Sequence, residues 1–193
     1  MVPAVRPSGS AGASDPMVLS ATLETPRLRL RRPVMDDAAA IFTAYAQDPE
    51  VTRYLVWRPH ETVETVREFL RRCAAAWEGG TAFAWAITGR EDGRLLGMVE
   101  VRKDGHRAEL GYVLARPHWG RGFATEAVRA VVEWALSDPN IHRVWAVCDV
   151  ENLPSARVLE KVGMQREGLL RRWTVLPNRS ETPRDCWCYA RVK

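Results

Sequence analysis

Residues 116–136 read RPHWGRGFATEAVRAVVEWAL, and they lead from a glycine-bearing loop into a helix-forming segment. Gly120 and Gly122 allow positive φ angles and a close approach of a ligand to the backbone. Apolar residues then recur at helical spacing, which predicts a helix from about Ala124. Because the first N–H groups of a helix lack intrahelical acceptors and lie at the positive end of its dipole, this arrangement predicts a phosphate site. We call residues 119–125 the anion loop.

The glycine pattern alone leaves a second interpretation open. It is not a Walker motif, because no Gly-Lys-Ser/Thr follows, and it is not Gly-x-Gly-x-x-Gly, because only Gly120-Arg121-Gly122 is present. Two glycines before a helix are also typical of an ordinary tight turn. The surrounding sequence therefore has to decide between a turn and an anion site.

That surrounding sequence resembles a known family. The segment Arg107–Leu114 alternates like a strand, and Trp119–Ala124 (WGRGFA) follows it. The second segment resembles the acyl-CoA pyrophosphate loop of the GNAT N-acetyltransferases, whose usual pattern is Gln/Arg-x-x-Gly-x-Gly/Ala. Trp119 stands where that pattern has Gln or Arg. A tryptophan there, followed by Gly-x-Gly-Phe-Ala-Thr-Glu-Ala, is similar to the RimJ/RimL branch of ribosomal-protein N-terminal acetyltransferases, and the resemblance covers about Leu23 to Val192.

Length and composition favour one domain preceded by a tail. At 193 residues the chain is long enough for a single well-buried core. Residues 1–21 are rich in Pro, Ser, Gly and Ala, and they have too few large side chains to offset the entropy of ordering. We therefore predict a disordered N-terminal tail over 1–21, with Met17 as an alternative start, and an acetyltransferase domain over 22–193.

Composition also bounds the partners. No apolar run approaches the roughly 18–20 residues that a membrane span needs, and the N-terminus lacks the apolar core of a signal peptide. The formal charge is +4, and the arginines are scattered rather than gathered in a block. The sequence predicts a soluble, cytoplasmic protein with no membrane or nucleic-acid partner indicated. Its mildly basic character suits an anionic cofactor such as CoA.

The cysteines and histidines form no recognisable metal or nucleophile motif. The four cysteines, at positions 73, 148, 186 and 188, lie in apolar or alternating segments without zinc-ligand spacing. We expect reduced core cysteines, no metal, and little support for a cysteine nucleophile. The histidines are isolated and are expected at the surface; they lie at positions 60, 106, 118 and 142.

The order of predicted elements is strand, two helices, three strands, helix, strand, helix and two strands. The strands are predicted at about 28–32, 82–88, 95–103, 107–114, 143–148, 166–175 and 185–192, and the helices at about 36–46, 62–77, 124–136 and 155–162. This order matches the GNAT fold. We therefore predict an α/β (α+β) protein with a mixed, mostly antiparallel central sheet of about seven strands wrapped by about four helices.

The resemblance implies a cofactor site for acetyl-CoA built largely from backbone groups. The pyrophosphate is assigned to N–H groups from Gly120 to Thr125, and the pantetheine arm to the main chain of three strand residues. The full predicted set is Tyr112, Val113, Leu114, Trp119, Gly120, Arg121, Gly122, Phe123, Ala124, Thr125, Asn152 and Ser155. In the family a strand bulge and a splay from the next strand admit the arm, and Gly111 would permit such a bulge. A glycine in a strand also simply makes room for a neighbour.

Glu109 is the candidate general base. On its predicted strand it faces away from Ala108, Leu110 and Tyr112, on a segment that leads into the anion loop. The alternative is a non-catalytic glutamate that points outward and is solvated or ion-paired. Glu100, on the adjacent predicted strand, is the competing carboxylate.

Residues Asn152–Ser155 contain the candidate general acid that would protonate the leaving thiolate. They resemble the Asn-x-x-Ser element of the family, in which Asn152 would hydrogen-bond the pantetheine side and Ser155 would protonate the sulfur. Much of the family uses a tyrosine seven residues after the asparagine, but this chain has Leu159 there. Both residues are also good helix-capping types, and Pro154 suits a first helical turn.

These observations predict an acetyl-CoA-dependent N-acetyltransferase that works by direct attack in a ternary complex. A peptide N-terminal α-amine is the favoured acceptor. Its pKa of ~7.7–8.0 is lower than the lysine pKa of ~10.4, so a general base deprotonates it more easily. One alternative is a small-molecule amine, such as an amino acid, polyamine or aminoglycoside. Another is a catalytically silent acyl-CoA sensor or interaction module. Because exposed sheet edges often pair between copies, a homodimer also stays open.

Overall fold

A computed structural model describes residues 21–193 of the chain. The predicted tail, including Met17, lies outside these residues except for Ala21. Within the described part, eight strands form one sheet and five α-helices pack on it. None of the described helices has the length and apolarity to cross a membrane.

The sheet runs in the order β1-β2-β3-β4-β5-β6-β8-β7. Its strands are β1 Leu23–Glu24, β2 Leu28–Arg31, β3 Ala82–Gly89, β4 Leu95–Asp104, β5 Arg107–Leu114, β6 Arg143–Asp149, β7 Gln165–Thr174 and β8 Arg184–Val192. Neighbouring strands are antiparallel except for β5 and β6, which are parallel. The predicted mixed, mostly antiparallel sheet is confirmed.

The helices cover both faces of this sheet. They are α1 Asp37–Ile41, which continues as a π-helical turn over Phe42–Ala46, α2 Pro49–Thr52, α3 Val63–Glu78, α4 Phe123–Ser137 and α5 Leu153–Lys161. The α1 and α3 helices pack with Met98 in one core cluster, whereas α4 and α5 pack with Trp85 and Tyr189 in a second. Strand alternation divides the side chains between these two cores.

Two short elements were not predicted, β1 and α2. A two-residue strand is too short to show a periodicity. The pair Asp48-Pro49 begins α2. The Asp48 side chain accepts a hydrogen bond from the Glu50 N–H at 2.9 Å, and Pro49 occupies the first helical turn.

The parallel pair β5 and β6 separates partway along its length. Backbone pairing extends only from Arg107 to Glu109 on β5 and from Arg143 to Trp145 on β6. Beyond these residues both strands continue but pair with other neighbours, so a slot opens in the sheet. The bulge that Gly111 would permit is absent: the register between β4 and β5 passes through Gly111 without a shift. Divergence from β6 alone makes the slot.

Asp149 at the end of β6 gives the fold a predicted acid sensitivity. Its fully buried carboxylate pairs with Arg184 and accepts a hydrogen bond from the Glu151 N–H at 2.9 Å. Burial by itself would raise the carboxyl pKa, but Arg184 and that N–H hold the pKa of Asp149 below its usual range. A depressed folded-state pKa contributes stability that is complete above the unfolded pKa of ~3.9 and is lost as the pH falls through the folded value.

We therefore expect the free energy of unfolding to fall as the pH drops below about 4. We expect Asp149→Asn to lower it by about 2 kcal/mol at pH 7, because Arg184 loses its buried partner and keeps only the exposed Glu151, and to flatten the acid dependence. Urea unfolding over a pH series measures both effects. Glu167→Gln is the control, because its ion pair with Arg143 is exposed, and we expect a change of about 1 kcal/mol or less. An unchanged acid limb in Asp149→Asn would contradict this assignment.

Candidate active site

A cavity of about 370 Å³ lies at the slot between β5 and β6. Tyr45, Trp57 and Phe69 line it from the side of α1 and α3, while Ser155 and Leu159 line it from α5 on the other side of the sheet. The cavity therefore passes from one face of the sheet to the other where the two strands have separated.

The anion loop follows the end of β5. Gly120 and Gly122 have φ angles of 72° and 79°, which only glycine adopts readily, and α4 begins at Phe123. The predicted helix start at about Ala124 is thus correct within one residue. Among residues 21–193 no side chain caps this end of α4, so its first N–H groups remain available to a ligand.

A carboxylate that the sequence did not suggest anchors the loop. Glu126, in the first turn of α4, accepts hydrogen bonds from the Thr25 hydroxyl at 2.6 Å, the Arg27 N–H at 2.9 Å and the Arg27 Nε at 2.7 Å. Burial would raise the Glu126 pKa, but these donors lower it below the usual range. Arg27 also donates to the Arg121 carbonyl at 3.0 Å. The turn between β1 and β2 therefore holds the anion loop in place.

Positive charge surrounds the same loop. The guanidinium carbons of Arg27 and Arg121 lie 4.5 Å and 4.9 Å from the centroid of the Phe123 ring. Both cations are thereby held beside the open end of α4, where they add to the attraction of the helix dipole for an anion.

Trp119 connects the loop to β5. Its indole Nε1 donates to the Leu114 carbonyl at 2.6 Å, although 46% of the residue is exposed. This bond fixes the loop relative to the strand residues predicted for the pantetheine arm, Tyr112, Val113 and Leu114. Of these, Tyr112 and Val113 line the cavity.

Both candidate carboxylates lie in the cavity wall and share one cation. Arg102 on β4 contacts Glu100, and its Nη1 lies 3.5 Å from Glu109 Oε2. Burial would lower the pKa of Arg102, but the two glutamates raise it, so the guanidinium stays charged. Glu109 therefore forms an ion pair with Arg102, as the alternative interpretation predicted. The pair still leaves about a third of the Glu109 side chain exposed.

The start of α5 also combines the two interpretations given to it. The Asn152 side chain accepts a hydrogen bond from the Ser155 N–H at 3.3 Å, so it caps the helix. Both residues line the cavity. The Ser155 hydroxyl lies 2.7 Å from the hydroxyl of Tyr112, which reaches it across the slot from β5.

Sequence reasoning missed this role of the Tyr112 side chain and considered only its main chain. The one available signal was strand alternation, which places Tyr112 on the face of β5 that carries Leu110. That signal could not identify Ser155 as the partner, since the two residues are 43 positions apart.

An aromatic wall faces the carboxylates. The loop residues Tyr54, Trp57 and His60 line the cavity, with the Trp57 and His60 rings 4.8 Å apart. Arg72 of α3 lies on the same wall, and within the described chain it forms no ion pair. Burial, followed by the charge of Arg72, lowers the pKa of His60.

The structure also decides the positions of His118 and the four cysteines. His118 is buried rather than at the surface, because it packs under the anion loop near Phe123, with ring centroids 6.2 Å apart. All four cysteines are free, and Cys188 alone is less than fully buried. Cys148 lines the cavity, and burial raises the pKa of its thiol to about 12, which makes it a poor nucleophile at neutral pH.

The split mixed sheet, with an uncapped helix N-terminus beyond the split, is the arrangement that the GNAT resemblance implied. Residues 27–165 match the family model described as acetyltransferase (GNAT) domain, and the chain belongs to this family. It is 35% identical to the N-acetyltransferase YoaA of Bacillus subtilis over 174 residues, which are 89% of this chain and 96% of YoaA. The protein is an N-acetyltransferase.

Solved structures agree with this assignment. A GNAT-family acetyltransferase from Bacillus anthracis superposes with a TM-score of 0.78 at 27% identity, covering 89% of this chain and 98% of that protein. RimL, a ribosomal L7/L12 alpha-N-protein acetyltransferase solved in complex with coenzyme A, superposes with a TM-score of 0.78 at 20% identity. This second match covers 87% of the present chain and 95% of RimL, and it supports the fold.

Proposed function

We propose that this N-acetyltransferase transfers the acetyl group of acetyl-CoA to the α-amine at the N-terminus of a peptide or protein. The observation that carries the proposal is the cavity through the slot, because it joins the cofactor side of the sheet to a wall that holds two carboxylates. Acyl donor and amine enter from opposite faces and meet between β5 and β6. This arrangement favours direct attack in a ternary complex.

The anion loop and the slot bind different parts of acetyl-CoA. Backbone N–H groups from Gly120 to Thr125, with Trp119 as the anchor to β5, bind the pyrophosphate. The main chain of Tyr112, Val113 and Leu114 on one side and Asn152 on the other bind the pantetheine arm. The thioester carbon is thereby brought to the level of Glu109.

In the reaction the amine nitrogen forms a bond to the thioester carbonyl carbon and the bond from carbon to sulfur breaks. Glu109 receives the amine proton, directly or through water, and the electron pair of the broken bond leaves on sulfur. Ser155 lines the same cavity and would contact that sulfur. Arg102 lies beside Glu109, and an acceptor whose pKa is ~7.7–8.0 has an appreciable neutral fraction near neutral pH.

Charges in the cavity support a single-amine acceptor over a polyamine. Arg72 and Arg102 balance Glu100 and Glu109, so the wall offers no excess of negative charge for a second ammonium group. Tyr54 and Trp57 add apolar surface that suits a side chain next to the reacting amine. RimL, which shares the fold, is an alpha-N-protein acetyltransferase, and this also favours a protein terminus.

Thiol release from acetyl-CoA tests the proposal across a panel of acceptors. We expect peptides with free N-termini to give the highest kcat/KM, and the same peptides with blocked N-termini to give none. Release confined to free amino acids, polyamines or aminoglycosides would establish the small-amine alternative instead. Saturable CoA binding without release in any acceptor class would support the sensor alternative and overturn the proposed function.

A further inference from the structure

Tyr112 and Ser155 form a hydroxyl pair across the slot in the sheet. The Tyr112 Oη lies 2.7 Å from the Ser155 Oγ and 3.2 Å from the Ser155 carbonyl oxygen. One residue belongs to β5, and the other lies in the first turn of α5, which follows β6. The pair therefore spans the opening where β5 and β6 no longer bond to each other. Both residues line the cavity.

Tyr112 carries one hydroxyl hydrogen and has two possible acceptors on Ser155, the hydroxyl at 2.7 Å and the carbonyl oxygen at 3.2 Å. The hydroxyl is the nearer of the two, and either oxygen is able to donate in that contact. Burial raises the pKa of Tyr112, so its hydroxyl stays protonated. In the arrangement in which the Ser155 Oγ accepts this hydrogen, the Ser155 hydrogen is available both to the cavity and to the neighbouring Cys148 sulfur.

The neighbouring titratable groups are either neutral or already paired with other side chains. Cys148 on β6 is a neutral thiol, since burial raises its pKa to about 12. Glu109 on β5 is engaged by Arg102, and Glu160 on α5 accepts the hydrogen bond of Tyr189 at 3.0 Å. Tyr112 and Ser155 are therefore the hydroxyl groups in this part of the cavity wall, beside the Cys148 thiol and the Asn152 amide.

We propose that Tyr112 is a positioning residue that turns the Ser155 hydroxyl toward the leaving sulfur, so that the pair stabilises the CoA thiolate by hydrogen bonding without transferring a proton. This inference rests on the proposed function. The carbon–sulfur bond breaks, its electron pair goes to sulfur, and the thiolate later takes a proton from water.

The relative acidities of the groups are the reason that both hydroxyls keep their protons. A thiol has a pKa of ~8.5, whereas tyrosine has ~10 even before burial raises it. Proton transfer from the pair to the thiolate would run uphill, whereas a hydrogen bond to the charged sulfur is favourable. Tyr112 reaches from β5 to the α5 side of the slot.

The thiol pKa of bound CoA tests this inference without any acceptor. CoA labelled with ¹³C at the carbon next to sulfur is titrated by NMR in complex with the wild type, Tyr112→Phe and Ser155→Ala. We expect the thiol pKa of bound CoA to be lowest in the wild type and to rise by about 1 unit in each variant. Tyr189→Phe is the matched control, because it removes another tyrosine hydroxyl that bonds Glu160 instead.

Turnover provides a second readout. We expect Tyr112→Phe to lower kcat about 10-fold with the KM for acetyl-CoA unchanged within about two-fold, since the ring still packs and only the hydroxyl is lost. The double variant with Ser155→Ala should be no slower than Ser155→Ala alone, because the two residues act in series.

The outcomes separate this inference from the proposed function. Equal thiol pKa values in the wild type and Tyr112→Phe, or a loss confined to KM, would overturn the role of Tyr112. A lowered thiol pKa in a wild type that acetylates no acceptor would overturn the proposed function and leave the hydroxyl pair supported. A wild type that does not bind CoA would overturn both.

Discussion

Glu109→Gln is expected to lower kcat toward a peptide N-terminus by about 10²–10³-fold, the range of a lost general base. The amide has nearly the same shape as the carboxylate but cannot take the amine proton at neutral pH. Stability should change little, because Glu109 is partly exposed and its contact with Arg102 is 3.5 Å long. Steady-state kinetics with acetyl-CoA and a reactive peptide measure the effect, and thermal unfolding checks the fold.

Glu100→Gln is the matched control for this experiment. Glu100 contacts the same Arg102 from the neighbouring strand, so its removal changes the charge of the cavity in the same way. We expect a loss of only a few-fold, because its carboxylate is bound more closely by Arg102 than that of Glu109. A large loss in Glu100→Gln with none in Glu109→Gln would reassign the base to Glu100. Unchanged turnover in both variants would contradict a carboxylate base altogether.

Gly122→Val is expected to raise the dissociation constant of CoA at least ~10-fold. Gly122 has a φ of 79°, where a β-branched residue is strongly disfavoured. A Cβ at this position would lie 3.4 Å from Arg27 Nη2, so the larger valine side chain would crowd the guanidinium that stabilises the loop. Both effects displace the N–H groups at the start of α4. Isothermal titration calorimetry with CoA measures the loss.

Gly80→Val separates loss of binding from loss of backbone freedom. Gly80 follows α3, has a φ of 64° and has open space around its Cβ position. Valine there has a similar backbone cost, but the site is not part of the anion loop. We expect lowered stability with unchanged CoA affinity in this variant. If Gly122→Val also bound CoA as tightly as the wild type, the assignment of residues 119–125 to pyrophosphate would be wrong.

Much of the fold could be predicted from local pattern. The helix after the anion loop begins within one residue of its predicted start, and β5 covers the predicted range 107–114. The alternation of β5 also indicated correctly that Glu109 faces away from Ala108 and Leu110, both of which are buried. These features depend on residues a few positions apart, and periodicity reports such neighbours directly.

Predictions failed where a local pattern had two structural uses. Gly111 in a strand suggested a bulge, yet its register with Glu100 is regular. His118 in a loop suggested the surface, yet the loop folds over it. In both cases the deciding fact is the position of a neighbouring element, which the residue itself does not encode.

The sequence by itself determined the longer helices and strands, the loop whose glycines adopt positive φ, and the residue types available for acyl transfer. Only the tertiary structure decided which of those residues act together. Arg27 reaches Glu126 across 99 positions, and Tyr112 reaches Ser155 across 43. The slot exists because β5 and β6 are parallel neighbours that diverge after three residue pairs. Periodicity is a property of a few consecutive residues, whereas such contacts depend on the path of the whole chain through the sheet.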